Sequence, residues 1–232
     1  MKIAYSGLDI QEGKEKYDDP VVTELVAKFE PKKVSPYFFE FSPDDFDKAD
    51  AIAITADTIL DLLILDLEKL ENRIERLEAD SSDMALMKRC VEFLESEKPL
   101  CDMEFTDEEF PIISELAPLS LKPTLVVDGS DVEDLNALIE KVMDKAEVMF
   151  FYTAGKPEVH AWFVPKGSDI VTCAGKIHSD LARGFIKGEV MSYEGYREAH
   201  NLNDARSKGL TQLVDRDYVV QPGEVIEIRF NV

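Results

Sequence analysis

The chain has 232 residues, of which 45% are hydrophobic and 32% charged, and its formal net charge at pH 7 is −22. These values predict a globular protein with an ample core in one or two domains, and no apolar run approaches the ~20 residues of a transmembrane helix. Cys90, Cys101 and Cys173 form no metal-ligand spacing and cannot all pair, so we predict neither a metal site nor a disulfide framework. Together with the lack of an apolar leader after Met1, this predicts a cytoplasmic protein.

The charge is very unevenly distributed. Residues 1–149 contain 16 basic against 37 acidic side chains, a net charge of −21, whereas residues 150–232 contain 10 against 11. Nucleic-acid affinity depends on neutralising phosphates with Lys and Arg, so the first part would repel RNA or DNA. Any RNA contact is therefore expected in the C-terminal part, and binding to DNA or to a membrane is not expected.

The chain begins with elements of an α/β sheet. Residues 2–6 form a short apolar strand candidate. Asp19 is a helix cap with Pro20 at the first helical position, and Pro31 ends that helix. Residues 37–41 and 51–55 are two further strand candidates, mostly apolar as expected for strands covered on both faces.

A helical segment follows. Asp57 is predicted to cap a long helix that runs to about Ala79, with apolar residues spaced three and four apart. The turn 80–82 leads to a second helix over residues 83–97, so the pair is predicted to form an antiparallel helical hairpin with Leu63, Leu70 and Leu94 buried in its seam. The run Thr106-Asp-Glu-Glu109 is a capping box that opens a third, shorter helix.

The rest of the chain returns to strands. Residues 123–127 form a strand candidate, and residues 131–145 an amphipathic helix. After them, short strands around one helix over residues 170–178 predict a small ubiquitin-like α+β roll. The predicted fold class is thus α/β: a reduced P-loop-like sheet with an antiparallel helical-hairpin insertion, followed by the C-terminal roll.

Four segments of the C-terminal part resemble, in order and spacing, the TGS domain of the YchF subfamily of Obg-type P-loop NTPases. They are Glu158-Val-His-Ala-Trp162, Ala174-Gly-Lys-Ile-His-Ser-Asp180, Arg183-Gly-Phe-Ile-Lys-Gly-Glu-Val190 and the closing run 217–232, which ends in Phe-Asn-Val. The resemblance implies a TGS-like domain over residues 149–232. TGS domains are implicated in RNA- and ribosome-associated regulation.

The N-terminal part resembles the same family, with large deletions. Pro31-Lys-Lys-Val34 is similar to the segment before the family's switch II strand, and residues 65–77 are similar to its coiled-coil arm. The resemblance implies a degenerate G-domain remnant over residues 1–56 and 119–148 and a helical arm over residues 57–118.

The deletions fall on the nucleotide motifs. A P-loop requires Gly-x4-Gly-Lys-[Ser/Thr], but Gly7 and Gly13-Lys14 are separated by five residues, and Glu15 replaces the hydroxyl that holds Mg²⁺. Gly7, Gly13 and Lys14 are therefore at most a remnant of a nucleotide site. The switch II Asp-x-x-Gly lacks its glycine within residues 42–45, and residues 128–131 hold Gly129 where the base-reading Asn is expected.

Three degraded motifs together predict a pseudo-NTPase that binds and regulates, with no cofactor and no catalytic residues. The alternatives are an active ATP or GTP hydrolase with a remodelled P-loop and a scaffold that binds protein alone. For RNA or partner binding, the candidates are Lys176, His178, Arg183 and Lys187, which lie around the short helix and the Arg183-Gly184 turn. The competing interpretation is an ordinary solvated edge with a structural His178.

Overall fold

The computed structural model describes residues 1–78, 81–129, 132–199 and 202–231. The chain divides into two compact units, the first comprising residues 1–15 and 39–146, the second residues 16–38 and 147–232. Each unit is centred on one sheet, and this mixed α/β fold confirms the α/β part of the predicted class. In the part of the chain that is described, no helix combines the length and apolarity needed to cross a membrane.

The regular elements are numbered in chain order. The strands are β1 (Lys2–Ser6), β2 (Gly13–Lys16), β3 (Lys33–Ser35), β4 (Phe38–Pro43), β5 (Ala51–Thr55), β6 (Thr124–Val127), β7 (Val148–Ala154), β8 (Glu158–Pro165), β9 (Phe185–Met191), β10 (Gln212–Val214) and β11 (Val225–Phe230). The helices are α1 (Pro20–Phe29), α2 (Ile59–Ile74), α3 (Ser82–Glu95), α4 (Glu109–Glu115), α5 (Leu135–Lys145), α6 (Ile170–Ile177), α7 (Ser179–Arg183), α8 (Tyr193–Glu198) and α9 (Leu202–Ser207).

The sheet of the first unit has the strand order β2-β4-β1-β5-β6. Strand β1 pairs in parallel with both β4 and β5, and β5 pairs in parallel with β6. All five residues of β5 are buried, as the continuous apolar run of a central parallel strand predicts. The strands predicted at residues 2–6 and 51–55 are confirmed at both ends, while β4 begins one residue later than predicted and continues to Pro43.

Helices α2, α3 and α4 share one buried core with the sheet residues Ala4, Ile52 and Ile54. Leu63, Leu70 and Leu94 are all at most 1% exposed, which confirms their predicted burial. The predicted cap of α2 is wrong: the helix begins after Thr58, not at Asp57, and Thr58 makes no side-chain capping bond. Helix α2 ends at Ile74, before the predicted Ala79, which lies outside the described residues together with Asp80.

The predicted capping box of the third helix is confirmed. The Thr106 backbone N–H donates to the Glu109 carboxylate at 3.0 Å, and the Glu109 N–H donates to the Thr106 hydroxyl at 3.2 Å. Arg89 adds two hydrogen bonds to the same carboxylate, at 3.0 and 2.9 Å. The hydrogen bonds from Arg89 and from the Thr106 backbone lower the pKa of Glu109 to about 2, so this carboxylate is charged under all ordinary conditions.

The sheet of the second unit has the order β10-β9-β11-β7-β8-β3. Strands β7 and β8 form an antiparallel hairpin, and β9 pairs with β11 in the same sense. Helix α6 packs on the sheet through Ile170, Cys173 and Ala174, which belong to the buried core of this unit. Asp169 caps this helix, since its carboxylate accepts a hydrogen bond from the Thr172 N–H at 2.7 Å.

Residues 16–38 belong to the second unit, not to the N-terminal remnant in which the predicted domain limits placed them. Strand β3, which the sequence did not predict, pairs in parallel with β8 from Lys33↔Glu158 to Ser35↔His160. Asp19 caps α1 as predicted, and its other carboxylate oxygen accepts a hydrogen bond from the buried Tyr152 hydroxyl at 2.7 Å. These contacts join segments more than a hundred residues apart, and no local sequence pattern reveals them.

Candidate functional site

The loop predicted to be the remnant of a P-loop follows β1. Gly7 has a φ of 72°, and a Cβ placed there would overlap the hydroxyls of Thr55 and Thr58. Those two hydroxyls lie 2.9 Å apart and hydrogen-bond to each other. Gly7 is therefore required by the left-handed turn and by close packing against the end of β5, which explains its presence without a phosphate ligand.

Gly13 and Lys14, the other two residues of the predicted remnant, lie in strand β2. In a P-loop, the Gly-Lys pair opens a helix whose free N–H groups and dipole hold the phosphates. Here the same residues are extended and join the edge of the five-stranded sheet next to β4. Gly7, Gly13 and Lys14 thus do not form a helix N-terminus in this structure.

A cavity of about 480 Å³ lies beside β2 and β4. Its charged lining residues are Lys2, Glu12, Lys14, Glu40 and Asp45. The Lys2 ammonium lies 2.6 Å from the Asp45 carboxylate, and this hydrogen bond lowers the pKa of Asp45 and raises that of Lys2. Since that pair is neutral overall, the remaining lining charges are two carboxylates and Lys14, an environment that opposes a polyphosphate.

The two other segments predicted to be degraded nucleotide motifs lie at the ends of β4 and β6. Ser42 and Pro43 are the last residues of β4, and Asp44, with a φ of 52°, donates its N–H to the Tyr5 carbonyl at 3.0 Å. Where a base-reading Asn was expected, Asp128 and Gly129 follow the end of β6. Ser130 and Asp131 lie outside the described residues.

The four residues predicted to contact RNA lie on α6, on α7 with its N-cap, and on β9, all in the second unit. Lys176 is exposed in the last turn of α6. His178 caps α7 by accepting the Asp180 N–H on Nδ1 at 3.1 Å, so it has the structural role that was the competing interpretation. Arg183 contacts Asp180 at 2.9 Å, and Lys187, on β9, contacts Asp215 at 2.5 Å. Two of the four side chains are therefore paired with acidic neighbours, although Arg183 is still 68% exposed.

Sequence reasoning missed a buried ionic group in this unit. The side chain of Glu189 on β9 is 3% exposed and accepts hydrogen bonds from Arg206 at 2.7 and 2.8 Å and from Arg229 at 2.9 Å. These bonds lower the pKa of Glu189 to about 2. The signal in the sequence was a lone charge between Gly188 and Val190 in a strand pattern, but its partners lie 17 and 40 residues away.

Comparisons with known proteins identify the family. Residues 148–231 match the model named YchF-GTPase_C, which is described as a protein of unknown function. The ribosome-binding ATPase YchF of Bacillus subtilis is 31% identical over 237 aligned residues, covering 75% of this chain and 65% of that protein. The chain belongs to the YchF family.

Other relatives show how much of the family's length is shared. Obg-like ATPase 1 of Homo sapiens is 40% identical to the YchF-family chain over 85 residues, which is 37% of this chain and 22% of that protein. The structure of the Schizosaccharomyces pombe YchF GTPase superposes with a TM-score of 0.76 at 18% identity, covering 96% of this chain and 88% of that one. This likeness shows the fold, and the chain spans less than two thirds of the length of the curated relatives it matches.

Proposed function

We propose that this YchF-family chain is a cytoplasmic pseudo-NTPase that acts as a ribosome-associated binding and regulatory protein through its TGS-like module. The pseudo-NTPase assignment is supported mainly by the position of Gly13 and Lys14 in strand β2. A strand offers a phosphate neither the converging N–H groups nor the dipole of a helix N-terminus. Glu15 also replaces the hydroxyl that a P-loop supplies to Mg²⁺. The helical arm, α2 with α3, would project from the remnant as a hairpin.

We expect no Mg²⁺-dependent hydrolysis of ATP or GTP above background, and no change on substitution Lys14→Ala. Glu12 and Glu40 in the lining of the β2–β4 cavity repel phosphate. Lys14 lies in a strand, which does not offer the converging backbone N–H groups of a P-loop. The measurement is phosphate release from the purified full chain, together with a nucleotide-induced shift in melting temperature.

A turnover that Lys14→Ala abolishes would instead establish the alternative, an active hydrolase with a remodelled loop. Lys48→Ala is the matched control, because Lys48 is an exposed lysine of the same unit that does not line the cavity.

The ribosomal part of the proposal rests on charge and on the family. Counted from the sequence, the first unit carries 12 basic against 32 acidic residues, whereas the second carries 14 against 16. Only a surface of the second unit can therefore approach phosphates without strong repulsion. The B. subtilis relative is named a ribosome-binding ATPase, which favours a ribosomal partner over an unrelated RNA.

The double substitution Lys176→Glu and Arg183→Glu is expected to weaken ribosome or RNA binding by the full chain at least about tenfold. Each lost phosphate contact should also reduce the slope of log affinity against log salt concentration by roughly one. Co-sedimentation with ribosomes across a salt series measures both quantities.

Lys32→Glu with Lys156→Glu is the matched control, since it reverses two exposed charges elsewhere in the same unit. Equal loss in both double variants would mean that net charge, not a site at Lys176 and Arg183, governs binding. The absence of co-sedimentation even at low salt would leave the protein-binding scaffold as the better reading.

A further inference from the structure

The sheet of the second unit opens between β7 and β11. Among the described residues, these two strands pair in parallel only at Val225 and Tyr152, and the Tyr152 N–H donates a hydrogen bond to the Glu224 carbonyl at 2.8 Å. Strand β11 then continues to Phe230 against β9, while β7 ends at Ala154. The two strands therefore separate after the first residue of β11.

Backbone polar groups point into this gap. Along a strand, successive residues direct their N–H and C=O groups to opposite edges. The Glu224 carbonyl faces β7, so the backbone N–H and C=O groups of Ile228, four residues later, also face β7. The Tyr152 N–H faces β11, so the backbone groups of Ala154 also face β11. A continued ladder would have joined these two edges, and no such pairing occurs in the described residues. Unpaired strand groups of this kind favour a hydrogen-bonding occupant.

A cavity of about 400 Å³ occupies the gap, within the size range of small-molecule pockets. Its lining comes from both faces of the sheet. Ile177 and Leu181 belong to the core on the face covered by α6 and α7, whereas Phe29 and Tyr196 pack against each other with ring centroids 5.4 Å apart. The cavity thus passes through the sheet beside Ile226 and is lined mainly by apolar side chains.

Tyr196 contributes a polar group that lacks a partner. The residue is 3% exposed, and its hydroxyl is buried without a hydrogen-bond partner among the described residues. A buried unpaired hydroxyl is unfavourable, and a ligand in the cavity that Tyr196 lines can supply the missing partner. The three lining carboxylates already have cationic partners: Glu158 contacts Lys33 at 2.8 Å, Glu227 contacts Arg206 at 2.7 Å, and Glu189 contacts Arg206 and Arg229 at 2.7 and 2.9 Å.

We propose that this cavity is a binding site for a small, uncharged, predominantly apolar molecule that carries an amide group. The apolar body would fill the space between the two faces of the sheet. The amide would meet the backbone edges at Ala154 and Ile228 and the hydroxyl of Tyr196. This site is separate from the RNA contact proposed above, and it requires neither nucleotide nor ribosome binding.

The test uses N-acetylphenylalanine amide, which combines one apolar ring with two amides, and the full chain labelled for NMR. We expect saturable shifts concentrated on the lining residues and a rise in melting temperature. Toluene lacks the amides and N-acetylglycine amide lacks the ring, so each should bind at least about tenfold more weakly. If no saturable shift is seen, or if the shifts lie outside the cavity, the proposal is wrong.

Two substitutions test the geometry. Ala154→Leu adds bulk to the cavity lining and should abolish binding, whereas Thr172→Leu, an exposed position on α6, should leave it unchanged. Tyr196→Phe removes the unpaired hydroxyl, so it should weaken binding by about threefold to tenfold without lowering the melting temperature of the free protein. Wild-type affinity in both Ala154→Leu and Tyr196→Phe would overturn the proposal. If Ala154→Leu does not fold, the Tyr196→Phe comparison decides.

Discussion

Asp66→Ala is expected to lower the free energy of unfolding by about 3 kcal/mol, the largest effect of a single substitution that we predict in the first unit. Asp66 lies on α2, and its side chain is fully buried. One carboxylate oxygen accepts the Leu119 N–H at 2.6 Å, and the other accepts the Ser120 N–H at 2.7 Å. Removing the carboxylate leaves two buried donors without partners, and each costs about 1–3 kcal/mol.

Urea denaturation measures this loss. Asp61→Ala is the matched control, because Asp61 is an exposed carboxylate on the same helix and its loss should cost less than about 0.5 kcal/mol. Asp66→Asn should be intermediate, since its carbonyl can keep one of the two hydrogen bonds. Equal midpoints for Asp66→Ala and Asp61→Ala would show that the Asp66 carboxylate does not hold this turn.

The hydrogen bonds of Asp66 show why a sequence pattern does not predict tertiary contacts. The helix was predictable because apolar residues recur on one face, and the buried face is indeed formed by residues such as Leu63 and Leu70. Asp66 lies on that buried face, where the pattern alone predicts an unfavourable charged residue without hydrogen-bond partners. Its partners lie 53 and 54 residues further along the chain, so only the folded structure reveals that it is satisfied.

Local capping chemistry was predicted correctly at two of three helix starts. Asp19 and the pair Thr106 and Glu109 cap their helices as predicted, because an N-cap bond joins residues two or three positions apart. Asp57 was wrong because the turn 56–58 places Thr58 at the helix start, with the Thr58 N–H bonded to the Thr55 carbonyl. Strand β3 was missed because it is short and depends on pairing with β8, a partner more than a hundred residues away.

The candidate sites, like the fold, could be predicted from the sequence only in part. The lost hydroxyl at Glu15 and the altered spacing could be read from the sequence, but the strand conformation of Gly13 and Lys14 could not. Spacing brought Lys176, His178 and Arg183 to one short helical region as expected. It did not show that Asp180 and Asp215 contact two of the predicted cations, because charge partners are set by side-chain geometry in the folded unit.

Glu189→Gln is expected to lower the free energy of unfolding by about 2 kcal/mol at pH 7. Glu189 is buried, and its carboxylate joins Arg206 and Arg229 to β9. Breaking a fully buried ion pair costs about 3–5 kcal/mol, but the two arginine side chains are 37% and 50% exposed, so water replaces part of what they lose. Glu227→Gln is the matched control: Glu227 contacts the same Arg206 at 2.7 Å but is 53% exposed, so its change should stay within about 0.5 kcal/mol.

The same substitution should change the pH dependence of stability. The folded pKa of Glu189 is lowered to about 2 from an unfolded value of 4.5, so the stability contributed by its carboxylate is fully present above pH 4.5. That contribution falls as the pH decreases toward 2, where the folded protein also takes up the proton. Glu189→Gln has no such group to protonate, so its deficit relative to the wild type should shrink steadily between about pH 5 and pH 2. Denaturation curves across this range measure the deficit, and a constant difference would mean that Glu189 stabilises the unit through its shape and packing, not through its charge.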